Sequence, residues 1–169
     1  MTISLYAASI PVFKQMLGGM STVLSKAEAH ATAKKIDANA LLQARLFPDM
    51  FPLAQQVRIA TDFARGVPSR LAGLEPPVFD GNEQSFADLI SMIARTQAYL
   101  DGIAAAQIDG QEGREIVLRP GTPKERKFTG QAYLLGYALP HFFFHVTTTY
   151  AILRHNGVEV GKGDYMGAK

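Results

Sequence analysis

The sequence of 169 residues contains no cysteine and no tryptophan, and only 19% of it is charged. The lack of cysteine excludes disulfides, thiolate metal sites and cysteine nucleophiles. It is compatible with a reducing compartment, and we expect a cytoplasmic protein. Seventeen basic and 15 acidic residues give a formal net charge of +2. This balance provides no broad basic surface, so we predict no nucleic-acid partner.

Signals for secretion and for membrane insertion are also lacking. The N-terminal residues carry no positive segment ahead of an apolar run, as a signal peptide would. An uncharged stretch from Gly130 to Leu153 is long enough to test as a transmembrane helix. It holds two histidines, three consecutive threonines and a proline, which are costly in lipid. We therefore predict no membrane partner and one domain, residues 1–169, with a sizeable core.

Apolar residues at helical spacing predict four long helices and one short helix. Ser85 and Asp88 have the form of a capping box, and Thr129 is placed to cap the last helix. The stretch from Gly66 to Pro68 is expected to end or bend the second long helix. A kink is expected near Pro140. The predicted helices cover residues 4–35, 37–46, 52–65, 85–106 and 129–156.

Between the third and fourth long helices the helical pattern breaks. Residues 114–119 and 124–128 flank a turn-forming Pro-Gly-Thr-Pro sequence, which predicts a β-hairpin. The glycine-rich tail after Asn156 is expected to be extended or a loop. The predicted fold class is therefore all-α, a four-helix bundle with a small β-hairpin insertion before the last helix.

His141 and His145 stand out on the last helix, because a spacing of four residues puts both imidazoles on one face. Histidine titrates near neutrality, and either ring nitrogen can bind a metal. The pair is therefore a metal-binding pair, an acid–base pair, or two core histidines held by hydrogen bonds and by the neighbouring phenylalanines. The residues alone leave these three interpretations open.

The length, the four helices and the sequence from His141 to His145 resemble the DinB/YfiT-like superfamily of metalloenzymes. The tail, from Arg154 to Tyr165, is similar to an uncharacterised branch, a domain of unknown function. The resemblance covers nearly the whole chain. It implies three histidines around a divalent metal such as nickel, zinc or manganese, one from the second long helix and two from the fourth. Active members are often thiol-dependent transferases.

This chain departs from that pattern at Arg58, which occupies the expected position on the second long helix. Arginine stays protonated and has no lone pair for a metal. Either another residue completes the site, with Asp62, Gln55 and Gln56 as candidates, or no metal is bound. Two imidazoles alone are too few, since catalytic zinc sites use three protein ligands.

Three functions remain open from the sequence. The first is a divalent-metal-binding protein or metal-dependent enzyme that uses His141, His145 and Asp62. The second is a metal-free protein in which Arg58 replaces the metal's charge and binds an anionic small molecule, with Tyr150 nearby; the alternative is a solvated ion pair of Arg58 with Asp62. The third is a structural homodimer that associates through an apolar helix face.

Overall fold

The computed structural model describes residues 3–167 of the chain, and most of them are helical. No helix among these residues is both long and apolar enough to cross a membrane. The elements are α1 (Ile10–Lys34), α2 (Ala38–Leu42), α3 (Leu53–Ala72), α4 (Phe86–Asp101), α5 (Ala105–Ile108), β1 (Glu115–Leu118), β2 (Arg126–Thr129), α6 (Gly130–Ala132), a π-helical segment (Tyr133–Ala138), α7 (Leu139–His155) and α8 (Lys162–Met166).

The four long helices α1, α3, α4 and α7 form the bundle. Each packs against two others, in the order α1, α4, α3, α7 around the bundle. The core between them is aromatic at its centre, where the fully buried rings of Phe13 and Phe142 meet edge to face at 4.8 Å. The predicted four-helix bundle with a β-hairpin insertion is confirmed.

The start of the chain differs from the prediction by about a turn and a half. α1 begins at Ile10, with Pro11 in its first turn, where a missing N–H costs nothing. Ser4 instead caps an isolated turn ahead of the helix. The short predicted helix is present as α2, and Asp37 caps it by accepting a hydrogen bond from the N–H of Asn39 at 2.9 Å.

Residues 66–68 were expected to end or bend the second long helix, and the expectation that they end it was wrong. α3 continues through Pro68 to Ala72 and is capped by Gly73, whose φ of +72° is the left-handed conformation typical of a helix end. Val67 and Leu71 have no exposed surface. Burial of these side chains offsets the cost of an interior proline, which local propensity alone does not reveal.

α4 begins with the predicted capping box. The Ser85 hydroxyl accepts from the N–H of Asp88 at 3.1 Å, and the Asp88 carboxylate accepts from the N–H of Ser85 at 3.0 Å. The helix ends at Asp101, earlier than predicted, because Gly102 closes it and α5 begins after a short break.

The tail also differs from the prediction, because part of it folds into α8; residues 168–169 lie outside the described residues. α8 packs against α1 at Gly19, where a Cβ atom would lie only 2.3 Å from the carbonyl oxygen of Tyr165. Gly19 therefore allows the backbone of α8 to pack directly against α1. The tail has no apolar periodicity of its own to reveal this helix.

The predicted hairpin is formed by β1 and β2, which pair antiparallel with Ile116 opposite Phe128. Thr129 then caps α6 through a long hydrogen bond of 3.4 Å from the N–H of Ala132. Where a kink was predicted, the structure has the π-helical segment, directly ahead of Pro140. A proline ring clashes with the carbonyl four residues earlier in an α-helix, and a wider turn relieves that clash.

Candidate functional site

Four rings, one at every fourth residue, line one side of the π-helical segment and α7. We call Tyr133, Tyr137, His141 and His145 the aromatic stripe. The centroids of Tyr133 and Tyr137 lie 6.0 Å apart, and those of Tyr137 and His141 lie 4.4 Å apart. Phe63 of α3 is nearly parallel to both imidazoles, at 5.2 Å from His141 and 6.2 Å from His145. The histidine pair is thus one end of a row of rings, in which Phe63 stacks on both imidazoles.

The partner of the stripe is one face of α3. Gln56, Phe63 and Arg70 are spaced by seven residues, which is about two helical turns, so they share a face. Gln56 contacts His145 at 2.7 Å, and Arg70 lies 3.4 Å from the hydroxyl of Tyr133. α3 therefore runs antiparallel to α7. We call the line of contact between this face and the stripe the α3–α7 seam.

Gln56 fixes the tautomer of His145. The Gln56 amide nitrogen donates to the carbonyl of Phe51 at 3.1 Å, so the amide oxygen must face the other way. That oxygen lies 2.7 Å from Nδ1 of His145. An amide oxygen only accepts, so Nδ1 carries the proton and donates. Nε2 of His145 is left with its lone pair.

His145 is neutral at physiological pH. Only 8% of the residue is exposed. Burial, and secondarily the electrostatic effect of the neighbouring His141, lower the pKa of His145 from 6.5 to about 4. Its Nε2 has no hydrogen-bond partner among residues 3–167. In the same range, Arg65 Nη1 is the one fully buried side-chain nitrogen or oxygen without a partner, so Nε2 of His145 is not fully buried. Nε2 therefore still reaches solvent.

Two clefts adjoin the stripe and share Tyr137. The smaller, of about 460 Å³, lies between the exposed His141 and the hairpin, where the guanidinium of Arg126 is 6.0 Å from the Tyr137 ring. The larger, of about 660 Å³, is bounded by Phe63, Tyr133 and Tyr137 on one side and by β1 on the other. The hairpin thus forms the outer wall of both clefts.

Arg58 does not reach the histidines. Its Nε donates to the carboxylate of Glu83 at 2.8 Å, and its Nη2 donates to the Glu83 carbonyl. Arg58 is two residues after Gln56, which places it about 200° around α3, facing the loop before α4. The alternative in which Arg58 replaces the metal's charge beside the histidines is therefore not favoured.

The other candidate residues are also dispersed. Asp62 pairs with Arg65 rather than with Arg58. Burial raises the pKa of Asp62, and the Arg65 charge opposes that rise. Gln55 lines a cleft on the side of α3 that carries Arg58. Tyr150 packs against Tyr165 of α8 at 5.8 Å, outside the seam.

The side chains do not complete a three-ligand metal centre. His145 suits a ligand, because metal-binding histidines usually donate their second ring N–H to a fixed acceptor, as His145 does to Gln56. However, no group of three His, Asp or Glu residues between positions 3 and 167 could hold a metal ion. The imidazoles contribute two donors at most, below the three of catalytic zinc sites.

The comparisons with known proteins agree with this architecture. The family described as "Domain of unknown function (DUF1993)" matches residues 5–166. The crystal structure of a DinB family member protein from Shewanella denitrificans is 40% identical, with a TM-score of 0.91; the alignment covers 98% of this chain and 93% of that one. The chain is a DUF1993 domain of the DinB family. The predicted resemblance is thereby confirmed, while no curated protein matches the chain.

Several side chains of this candidate site were absent from the prediction. Tyr133 and Phe63 were not identified, and Gln56 was one of several alternatives. The sequence does contain a signal for this site: aromatic residues and histidines recur every four residues along the stripe, and Gln56, Phe63 and Arg70 recur every seven residues along α3. It was missed because the predicted second helix stopped before Arg70, and because a spacing of four drifts around an uninterrupted α-helix.

Proposed function

We propose that this DUF1993 domain binds a small, flat molecule along the α3–α7 seam, and that Nε2 of His145 accepts a hydrogen bond from it. The observation that carries the proposal is the hydrogen bond from His145 to Gln56, which leaves a defined lone pair among aromatic rings. Small-molecule sites are mostly apolar, with a few fixed polar groups that orient the ligand. The seam has this composition.

The pKa of His145 decides what this nitrogen does. With a pKa of about 4, it is neutral and accepts hydrogen bonds throughout the physiological range. It is a weak base, whereas an efficient general base has a pKa near the working pH. Its proposed role is therefore to bind and orient a hydroxyl or N–H group of the ligand.

The test uses two probes that differ in one hydrogen-bond donor. Phenol offers an O–H to Nε2, and anisole has the same ring without that donor. We expect titration calorimetry or NMR to show tighter binding of phenol, and His145→Phe to abolish the difference. His155→Phe, at the exposed end of α7, is the matched control and should retain it. Equal affinity of the wild type for the two probes would refute the proposal.

A divalent metal, nickel, zinc or manganese, is the second candidate, and the fixed tautomer of His145 is the observation that favours it. The described side chains supply only two imidazoles, so the remaining ligands would have to come from elsewhere. We therefore assign no chemical step to a metal. Homodimerisation and a cytoplasmic location stay predictions.

A further inference from the structure

Two arginine side chains lie across glycines, one within α3 and one that caps it, toward the end of the seam opposite His145. A Cβ atom on Gly66 would fall 2.6 Å from Nη1 of Arg70, and one on Gly73 would fall 2.6 Å from Nη1 of Arg114. Both guanidinium groups line the 660 Å³ cleft. The two glycines thus leave room for two cations against the surface of the helix.

Neither cation is neutralised by a carboxylate of the described residues. A guanidinium has five N–H donors. Arg70 uses one in a long hydrogen bond of 3.4 Å to the hydroxyl of Tyr133, and Arg114 uses one on the Gln111 side chain at 2.9 Å. No ion pair among residues 3–167 includes either arginine. Most of their donors are free for a ligand.

The acidic residues around the cleft do not cancel this charge. Asp62 is paired with Arg65, and Glu115 lies 3.8 Å from Lys127. Glu75 is an exposed carboxylate at the rim. The cleft wall carries three arginines, which outweigh the single negative charge of Glu75: Arg70, Arg114 and Arg119. The cleft therefore retains a positive charge.

We propose that this cleft binds a carboxylate attached to a flat apolar body. The carboxylate contacts the guanidinium of Arg70, whose planar fork matches it, and Arg114 adds a second positive charge. The apolar body packs on the partly exposed rings of Phe63 and Tyr137. This inference deepens the proposed function by naming a ligand class, but its contacts lie at the other end of the seam.

The experiment compares 1-naphthoate with 1-naphthamide, which have the same ring system and differ in charge. We expect calorimetry at low salt to show at least tenfold tighter binding of the acid to the wild-type protein. Arg70→Gln should remove most of this preference, and Arg114→Gln should reduce it about threefold. Arg154→Gln, an exposed arginine on α7, should leave it unchanged.

Equal binding of acid and amide by the wild type would overturn the inference. So would an undiminished preference in folded Arg70→Gln, or in Arg114→Gln if Arg70→Gln does not fold by circular dichroism. His145→Phe separates the two proposals. It should abolish the preference for phenol over anisole while it retains the preference for naphthoate, so the failure of one proposal is distinguishable from the failure of the other.

Discussion

Acid should destabilise this domain through His145. The imidazole has a pKa of about 4 in the folded protein and about 6.5 when unfolded. Between these values the unfolded chain binds a proton that the native protein excludes. The free energy of unfolding therefore rises with pH in this window. The stabilisation that the neutral His145 contributes is fully present above about pH 6.5, and it is lost as the pH falls toward about 4.

The size of the effect follows from the difference between the two pKa values. At about 1.4 kcal/mol per pKa unit, the loss on acidification is at most about 3–4 kcal/mol. Only 8% of His145 is exposed, so screening by solvent reduces this value little. A small domain has a total stability of roughly 5–15 kcal/mol, so the change is measurable.

The assay is urea unfolding at half-unit steps from pH 7 to pH 4, on the wild type and on His145→Phe. The substitution leaves the amide oxygen of Gln56 without its partner, and this cost does not depend on pH. The carboxylates and the other histidines are common to both proteins, so their titration cancels in the difference. We expect the wild type to lose up to about 3–4 kcal/mol more than the variant. Parallel pH profiles would refute the reasoning.

Three further predictions concern packing, charge and metal content. Gly19→Ala should lower the free energy of unfolding by about 1–3 kcal/mol, because the added methyl group meets the Tyr165 carbonyl. Gly18→Ala is the control: its nearest neighbour would lie at 3.9 Å, so the substitution should raise the free energy of unfolding by up to about 1 kcal/mol. Thermal unfolding measures both effects, and destabilisation of both variants would contradict the prediction. Arg58→Ala should lower the free energy of unfolding by about 2 kcal/mol, because Glu83 stays buried and keeps only Arg95, at 4.0 Å, as a cationic partner. Urea unfolding measures this, and an unchanged free energy of unfolding would mean that the ion pair does not stabilise the fold. Plasma mass spectrometry of untagged protein decides between the two candidate functions. Because the described side chains supply only two imidazoles, the first candidate predicts no stoichiometric nickel, zinc or manganese, and metal that disappears in His145→Phe would favour the second.

Local patterns predicted the bundle well because its helices are long and amphipathic. The capping box of Ser85, the hairpin and the histidine pair all follow from residues close together in sequence. The predictions failed where tertiary contacts determine the secondary structure. Pro68 remains helical because its neighbours are buried, and α8 exists because Gly19 provides a flat surface on another helix. Neither fact is encoded in a short window of sequence.

The same limit explains why Arg58 was misplaced and Gln56 undervalued. From the sequence, a residue of α3 can be assigned to the histidine face only if the rotation of the helix is known. The contacts of Gln56, Phe63 and Arg70 fix that rotation, and Arg58 then faces about 200° away. An error of two residues in placing the expected ligand therefore exchanges a hydrogen-bond acceptor for a cation.

The π-helical segment explains how four rings stay on one side over twelve residues. In an α-helix, a step of four residues overshoots a full turn by about 40°, so Tyr133 and His145 would drift far apart. In a π-helix, hydrogen bonds span five residues and the same step falls short of a turn. The stripe takes its first step within the π segment and its last within α7, so these opposite drifts compensate. The irregularity ahead of Pro140 thus joins the arginine end of the seam to the histidine end on one continuous face.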